Sequence, residues 1–193
     1  MNATMAPSPN PRQSKIQRFF RLTEHFLAAA GLVLILYHLG FEIVYMSSSS
    51  MQPTLIGPEH GKPDWVLIEK WTYRCRAPRR WEVASLHYTD GSFVAKRVAG
   101  LPGEQVSVQD GYVTIGGQPQ TPPAKVKFLR YTAEGNVAHH RIVPCGATEY
   151  FLLGDDTRDS LDSRFVGTIS SERIIGRPLL RIWPLARWGW VNP

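Results

Sequence analysis

Cysteine is scarce in this chain of 193 residues, with only Cys75 and Cys145 present. Their separation does not resemble a metal-ligand spacing, and His139-His140 alone is too little to suggest a metal, so no metal or other cofactor is expected. The two thiols could close a long loop as a disulfide outside the cytoplasm or remain free, and the sequence leaves both open. Acidic residues are also in the minority, 16 against 22 lysines and arginines, which leaves a formal charge of +6. A basic excess suits an anionic membrane surface or a nucleic acid. Beyond residue 46, no helical periodicity lasts more than about two turns, which excludes a helical bundle. Long apolar runs are equally rare, and the chain has just one.

That run is Phe26 to Met46, long enough to span a bilayer core despite His38 and Glu42. Arg12, Lys15, Arg18 and Arg21 precede it. Positive charge on that side places the N-terminus in the cytoplasm and the rest outside. A cleaved secretory signal is the competing reading, because Ser47 to Ser49 supply small residues near a possible cut. Glu42 fits poorly beside such a cut, so a retained anchor is favoured. The expected organisation is a basic cytoplasmic tail (1–25, its first 14 residues disordered), a transmembrane anchor (26–46) and an extracytoplasmic domain (47–193).

The domain reads as β-structure. Trp65–Glu69, Trp81–Tyr88, Ser92–Ala99, Glu149–Leu153 and Arg173–Ile182 are candidate strands, with a turn at Thr89-Asp90-Gly91. Gln105–Gln109 and Tyr112–Ile115 flank Asp110-Gly111, the strongest hairpin signal in the chain. Residues 118–145 are proline-rich and irregular, a small insertion or cap with one possible strand near Val126–Tyr131. The expected fold class is mainly β, an antiparallel barrel or sandwich behind one N-terminal transmembrane helix.

Three stretches carry candidate chemistry: Ser48-Ser-Ser-Met-Gln-Pro-Thr-Leu55, Lys96-Arg-Val-Ala-Gly-Leu-Pro-Gly-Glu104 and Gly154-Asp-Asp-Thr-Arg-Asp-Ser-Leu-Asp-Ser-Arg164. A serine hydroxyl needs a base before it can attack a carbonyl. A lysine can serve if burial lowers its pKa. Lys96 lies in an apolar strand, where alternation sends Arg97 to the opposite face. Pro53 suits a turn after the serines, and Gly100, Pro102 and Gly103 a tight bend.

The three stretches resemble, in order, the Ser-x-Ser-Met-x-Pro-Thr-Leu, Lys-Arg-x-x-Gly-x-Pro-Gly-Asp/Glu and Gly-Asp-Asn-x-x-x-Ser-x-Asp-Ser-Arg boxes of type I signal peptidases. These are membrane-anchored serine/lysine proteases of exported preproteins. The resemblance implies that Ser50 is the nucleophile and Lys96 the general base. It further implies that the Ser48 hydroxyl and the Ser50 N–H form the oxyanion hole. Ser160 would orient the lysine, and Asp162 and Arg164 would form a supporting ion pair. Cleavage would follow a small-x-small motif, with the substrate held as an extended strand between Glu42–Ser47 and the strand approaching Lys96. A lysine at position 96 points to the bacterial or organellar form, at the inner (plasma) membrane in a bacterium. Asp156 departs from the family's asparagine and would raise the lysine pKa if close and ionised.

Two alternatives accompany this reading, a conjugation-type maturation peptidase with one dedicated substrate and a catalytically inactive anchored binding domain. Arg181 to Trp190 mixes arginines with three tryptophans, which suits phospholipid headgroups. For a domain outside the cytoplasm, no nucleic-acid partner is expected.

Overall fold

The computed structural model describes residues 11–88 and 92–191, and the side chains from residue 16 onward. Of the disordered tail expected over residues 1–14, residues 1–10 lie outside the described residues, as does the expected turn at Thr89-Asp90-Gly91, whereas residues 11–14 are helical.

Helix α1 (Pro11–Gly40) contains one apolar stretch, Ile16–Gly40, of 25 residues, long and apolar enough to cross a membrane. Its large side chains, among them Phe19, Phe26 and Leu34, are exposed. The anchor was expected over 26–46. The helix instead starts earlier and stops at Gly40, and Phe41–Tyr45 is strand β1. Phe-Glu-Ile-Val-Tyr is a β-branched and aromatic run that fits a pleated surface better than a helix. It pairs along its whole length with β2 (Trp65–Glu69), Phe41 opposite Glu69 and Tyr45 opposite Trp65. The compact unit that carries the chemistry accordingly begins at Gly40, not at Ser47.

That unit is mainly antiparallel β, with a curled half-barrel sheet. Its strands after β2 are β3 (Val83–His87), β4 (Phe93–Gly100), β5 (Gln105–Gln109), β6 (Tyr112–Ile115), β7 (Gln118–Pro119), β8 (Val143–Pro144), β9 (Glu149–Leu153), β10 (Ile169–Ser170), β11 (Ile174–Trp183) and β12 (Gly189–Trp190). The larger sheet runs β1-β2-β11-β3-β4-β9-β10, with β12 attached to β11, and the smaller runs β7-β6-β5-β8. Two four-residue helices, α2 (Thr72–Cys75) and α3 (Ser163–Val166), complete the regular structure. The Asp110-Gly111 hairpin forms in the expected register, Val108 opposite Val113, and both turn residues have positive φ. Residues 118–145 are largely irregular, as expected, apart from the two-residue strands β7 and β8 and short 3-10 turns. The possible strand near Val126–Tyr131 is absent: a 3-10 turn occupies Ala124–Val126, and Val126, Leu129 and Tyr131 are core side chains. Pro122 and Pro123 just before this stretch lack donors for a ladder.

Both cysteines are free thiols, Cys75 exposed and Cys145 buried. Burial raises the Cys145 pKa to about 11, so it packs as a small apolar group.

What positions the site is a buried cluster under the serine run. Met51 and Leu55 are fully buried against Val66, Ile68, Val83 and Ala95. These two anchors flank a turn in which Gln52 N–H bonds Ser49 C=O and Leu55 N–H bonds Met51 C=O. Ser50 is thus carried on a turn fixed from below by apolar packing, at roughly 1.5–3 kcal/mol per buried side chain.

Candidate active site

Strand β4 delivers Lys96. Along it, Val94 and Val98 belong to one packed cluster and Ala95 and Ala99 to others, the expected alternation of faces. Lys96 is 2 % exposed, and its Nζ donates to Ser50 Oγ at 2.8 Å and to Ser160 Oγ at 2.9 Å. Burial lowers its pKa to about 8, against the raising influence of Asp162, Asp155 and Asp159. A free amine is therefore accessible near neutral pH. Ser48 Oγ lies beside it, donating to Ser50 Oγ at 3.3 Å.

The Gly154–Arg164 stretch is held from two sides. On one, Asp155 receives a bidentate pair from Arg97, Nε to Oδ1 at 2.6 Å and Nη2 to Oδ2 at 2.5 Å, with both side chains fully buried. Arg97 also donates to the Trp81 carbonyl, and Thr54 donates to Asp155. On the other, Asp162 accepts Arg164 Nε and Nη2, both at 2.9 Å, and the Gly154 N–H at 3.0 Å. Arg164 reaches on to the Thr157 carbonyl. The loop closes on itself and presents Ser160 Oγ to the lysine. The Asp156 N–H also donates to the Ser50 carbonyl at 3.0 Å.

Gly154 has to be glycine here. A methyl at that position would overlap Ser160 Oγ and sit 2.5 Å from the Ser50 carbonyl oxygen. Gly57 plays the same part beneath the serines, where a methyl would run into the Ser48 carbonyl.

Ser48, Ser50, Lys96 and Ser160 therefore form one hydrogen-bonded cluster, and the Asp162–Arg164 pair closes the loop that carries Ser160. Asp156 stands where the family has asparagine. Its Oδ1 accepts the Arg158 and Asp159 N–H groups, an acceptor role that an asparagine oxygen fills equally well. Sequence reasoning missed the Arg97–Asp155–Thr54 network, although Arg97 and Asp155 each stand inside a matched box. It also missed Glu59, whose Oε2 accepts the Ser49 hydroxyl at 2.7 Å while Ser49 Oγ accepts the Gly57 N–H.

Residues of the serine run line two cavities, one of which also takes in Lys96. One, of about 280 Å³, holds Ser48, Ser50 and Lys96. The other, of about 380 Å³, is lined by Ile43, Val44, Tyr45, Ser47, Trp65 and Phe93. Its walls are β1 and the start of β4, the segments expected from sequence, except that Glu42 is turned to Lys70 at 2.8 Å. β1 pairs with β2 on one edge only, and Phe93–Lys96 of β4 pairs with β3 only, since β9 joins from Arg97 onward. Among the described residues, no strand occupies the other edge of either segment.

The family model described as signal peptidase, peptidase S26, matches residues 19–183. The chain belongs to the S26 signal peptidase family. It is 34% identical over 156 residues to probable signal peptidase I-2 of Synechocystis sp. (strain ATCC 27184 / PCC 6803 / Kazusa), covering 77% of this chain and 66% of that relative. It is 35% identical to signal peptidase I of Leptolyngbya laminosa (79% and 73% covered) and 33% identical to probable signal peptidase I-1 of the same Synechocystis strain (84% and 82%). A crystal structure of a signal peptidase I from Enterococcus faecalis V583 is 28% identical, covers 53% of this chain and 97% of its own, and superposes with a TM-score of 0.43. As a member of the S26 family the chain is a peptidase, and its apolar N-terminal helix is compatible with the membrane anchor of a signal peptidase.

Proposed function

We propose that this chain removes signal peptides from exported preproteins with Ser50 as nucleophile and Lys96 as general base. The observation that carries the reading is the 2.8 Å contact between Lys96 Nζ and Ser50 Oγ at a lysine that burial holds at a pKa of about 8. Ser50 Oγ attacks the scissile carbonyl carbon while its proton passes to neutral Lys96. The resulting oxyanion is met by the Ser48 hydroxyl and the Ser50 N–H. Collapse breaks the C–N bond, and Lys96 returns its proton to the leaving amine. Water, deprotonated by the same amine, then hydrolyses the acyl-enzyme and restores Ser50.

Ser160 fixes the direction of Nζ, and the Asp162–Arg164 pair holds the loop that carries Ser160. The preprotein lies as an added strand between the open edges of β1 and the start of β4. Its small side chains before the cut enter the cavity lined by Val44 and Phe93. In the membrane, Ile16–Gly40 spans the bilayer with the basic N-terminus in the cytoplasm and the catalytic unit outside. Exposed Trp183, Leu185, Trp188 and Trp190 suit contact with phospholipid headgroups.

The test is cleavage of a panel of preproteins by wild type, Ser50→Ala and Lys96→Met in detergent or proteoliposomes. Loss of processing in both variants is expected. Equal processing by all three would refute the reading, and cleavage of a single preprotein would favour a dedicated maturation peptidase.

A further inference from the structure

The cavity that holds Ser50 and Lys96 has no β1 residue in its lining, and part of that lining has a charge that the chemistry does not use. Glu59 and Asp159 line it together with Tyr88 and Leu161. The Glu59 carboxylate is exposed, oriented by the Ser49 hydroxyl, and held below the usual carboxylate range chiefly by that hydrogen bond. Asp159 lines the same cavity, and its charge acts on Lys96 to raise the amine's pKa. Across the cavity, the Tyr88 hydroxyl donates to the Leu161 carbonyl at 2.7 Å and ties the end of β3 to the loop carrying Asp159.

The apolar cavity along β1 suits small residues before the cut, so a strand continuing past Ser50 carries the residues after the cut into the Glu59 and Asp159 end. Among the described residues lining that cavity, the charged side chains other than Lys96 and the titratable His60 are these two carboxylates. We propose that Glu59 and Asp159 are specificity-determining residues that disfavour acidic side chains at the first two positions of the mature protein. The inference rests on the proposed cleavage reaction and extends it to the side of the substrate that the small-x-small motif leaves open. The physical cause is like-charge repulsion in a partly enclosed cleft, where water screens less than in bulk. Both groups retain contact with solvent, so the effect is moderate and weakens with salt.

The experiment measures kcat/KM near pH 8 on paired preproteins that differ only in Asp against Asn at the first or second mature position. Expected for wild type is a preference for Asn of about 3- to 10-fold, shrinking at high salt. The Glu59→Gln/Asp159→Asn double variant should bring the ratio close to one. Glu59→Gln keeps an oxygen that can accept from Ser49, and the ratio within one enzyme cancels any general loss of activity. Normal cleavage of the Asn substrate by wild type with no discrimination, or discrimination unchanged in the double variant, overturns this inference and leaves the proposed reaction standing. Ser50-independent cleavage, or no cleavage of either substrate, overturns both. If the double variant loses all activity, each single variant supplies the ratio, and an unchanged ratio in both counts against the proposal.

Discussion

Lys96 and Arg97 are consecutive in one strand and both are buried, yet they face opposite sides and meet opposite electrostatic fates. Arg97 is matched by a bidentate carboxylate, Asp155, and its guanidinium keeps its charge. Among the described residues, Lys96 has two serine hydroxyls for hydrogen-bond partners and no carboxylate in contact, so burial works against its ammonium form. The arginine docks the Gly154–Asp156 segment against β4, and that docking brings Ser160 within reach of the adjacent amine. One dipeptide thus supplies both the clamp and the base.

The first prediction concerns pH. A base must be unprotonated to accept the serine proton, and Lys96 has a pKa of about 8. Cleavage should fall about tenfold for each pH unit below that value, leaving roughly 1% of the maximum near pH 6. The kcat/KM profile from about pH 6 to pH 9 measures this, and a flat acid limb would mean a different base.

The same shift predicts a stability effect. The folded pKa of about 8 lies below the ordinary value of 10.5, so between those values the unfolded chain binds more protons than the folded one. Stability therefore rises with pH through this window. Below about pH 8 the full cost of deprotonating or burying the lysine is present, about 3 kcal/mol for a shift of this size. Lys96→Met removes that cost and loses two hydrogen bonds to serines, for a net gain of about 1–2 kcal/mol at neutral pH. The midpoint temperature should rise by about 2–8 °C at pH 7, and the advantage should shrink as pH approaches 10. An inactive variant more stable than its parent is an outcome that a merely structural lysine does not produce.

Asp155→Ala tests the clamp. It strands the Arg97 charge in a fully buried position, at a cost of about 3–5 kcal/mol in denaturant unfolding. Asp155→Asn keeps the volume and one acceptor but still loses the charge pairing. It should fold with less loss while lowering kcat more than it changes KM, because the segment it anchors reaches Ser50 through the Asp156 N–H. A variant with full kcat would separate the clamp from the chemistry.

How far the sequence disclosed all this depended on how local each signal was. The hairpin at Asp110-Gly111 and the strand Trp65–Glu69 rest on neighbouring residues, and both emerge with the expected limits. Ser50, Lys96 and Ser160 were legible through the boxes that contain them, although their meeting depends on contacts 46 and 64 residues apart in the chain. The end of the anchor was misplaced because hydropathy does not distinguish an apolar helix from the apolar strand Phe41–Tyr45 that follows it. Only the pairing partner, Trp65–Glu69, decides between them. Glu59 went unnoticed for a related reason. It lies in a short 3-10 turn, Pro58–His60, and meets the Ser49 hydroxyl only in the folded chain, where buried Asp64 accepts the Ile56 N–H and pairs with Arg187 at 2.7 Å.

Gly154 supplies the last prediction. Its α-carbon passes between Ser160 Oγ and the Ser50 carbonyl, with no room for a methyl group. The backbone N–H of Gly154 is also fixed by Asp162, so the residue cannot retreat without weakening the ion pair that closes the loop. In Gly154→Ala the new methyl must push either Ser160 from the lysine or the Ser50 turn from its seat on Met51 and Leu55. The buried apolar anchors make the second movement the costlier, so Ser160 should give way. A displacement of about 1 Å in such a constellation costs about 100-fold in rate. The expected result is kcat reduced by about that factor with KM nearly unchanged, because the β1 and β4 edges proposed to hold the substrate are untouched. Gly154→Ala combined with Ser160→Ala should then be little slower than Ser160→Ala alone, since the hydroxyl whose displacement costs rate is already absent, even though the Ser160 β-carbon, 2.5 Å from the new methyl, still has to shift. If the two losses multiplied instead, the glycine would be acting on Ser50 directly and the assignment of Ser160 as the yielding partner would fail.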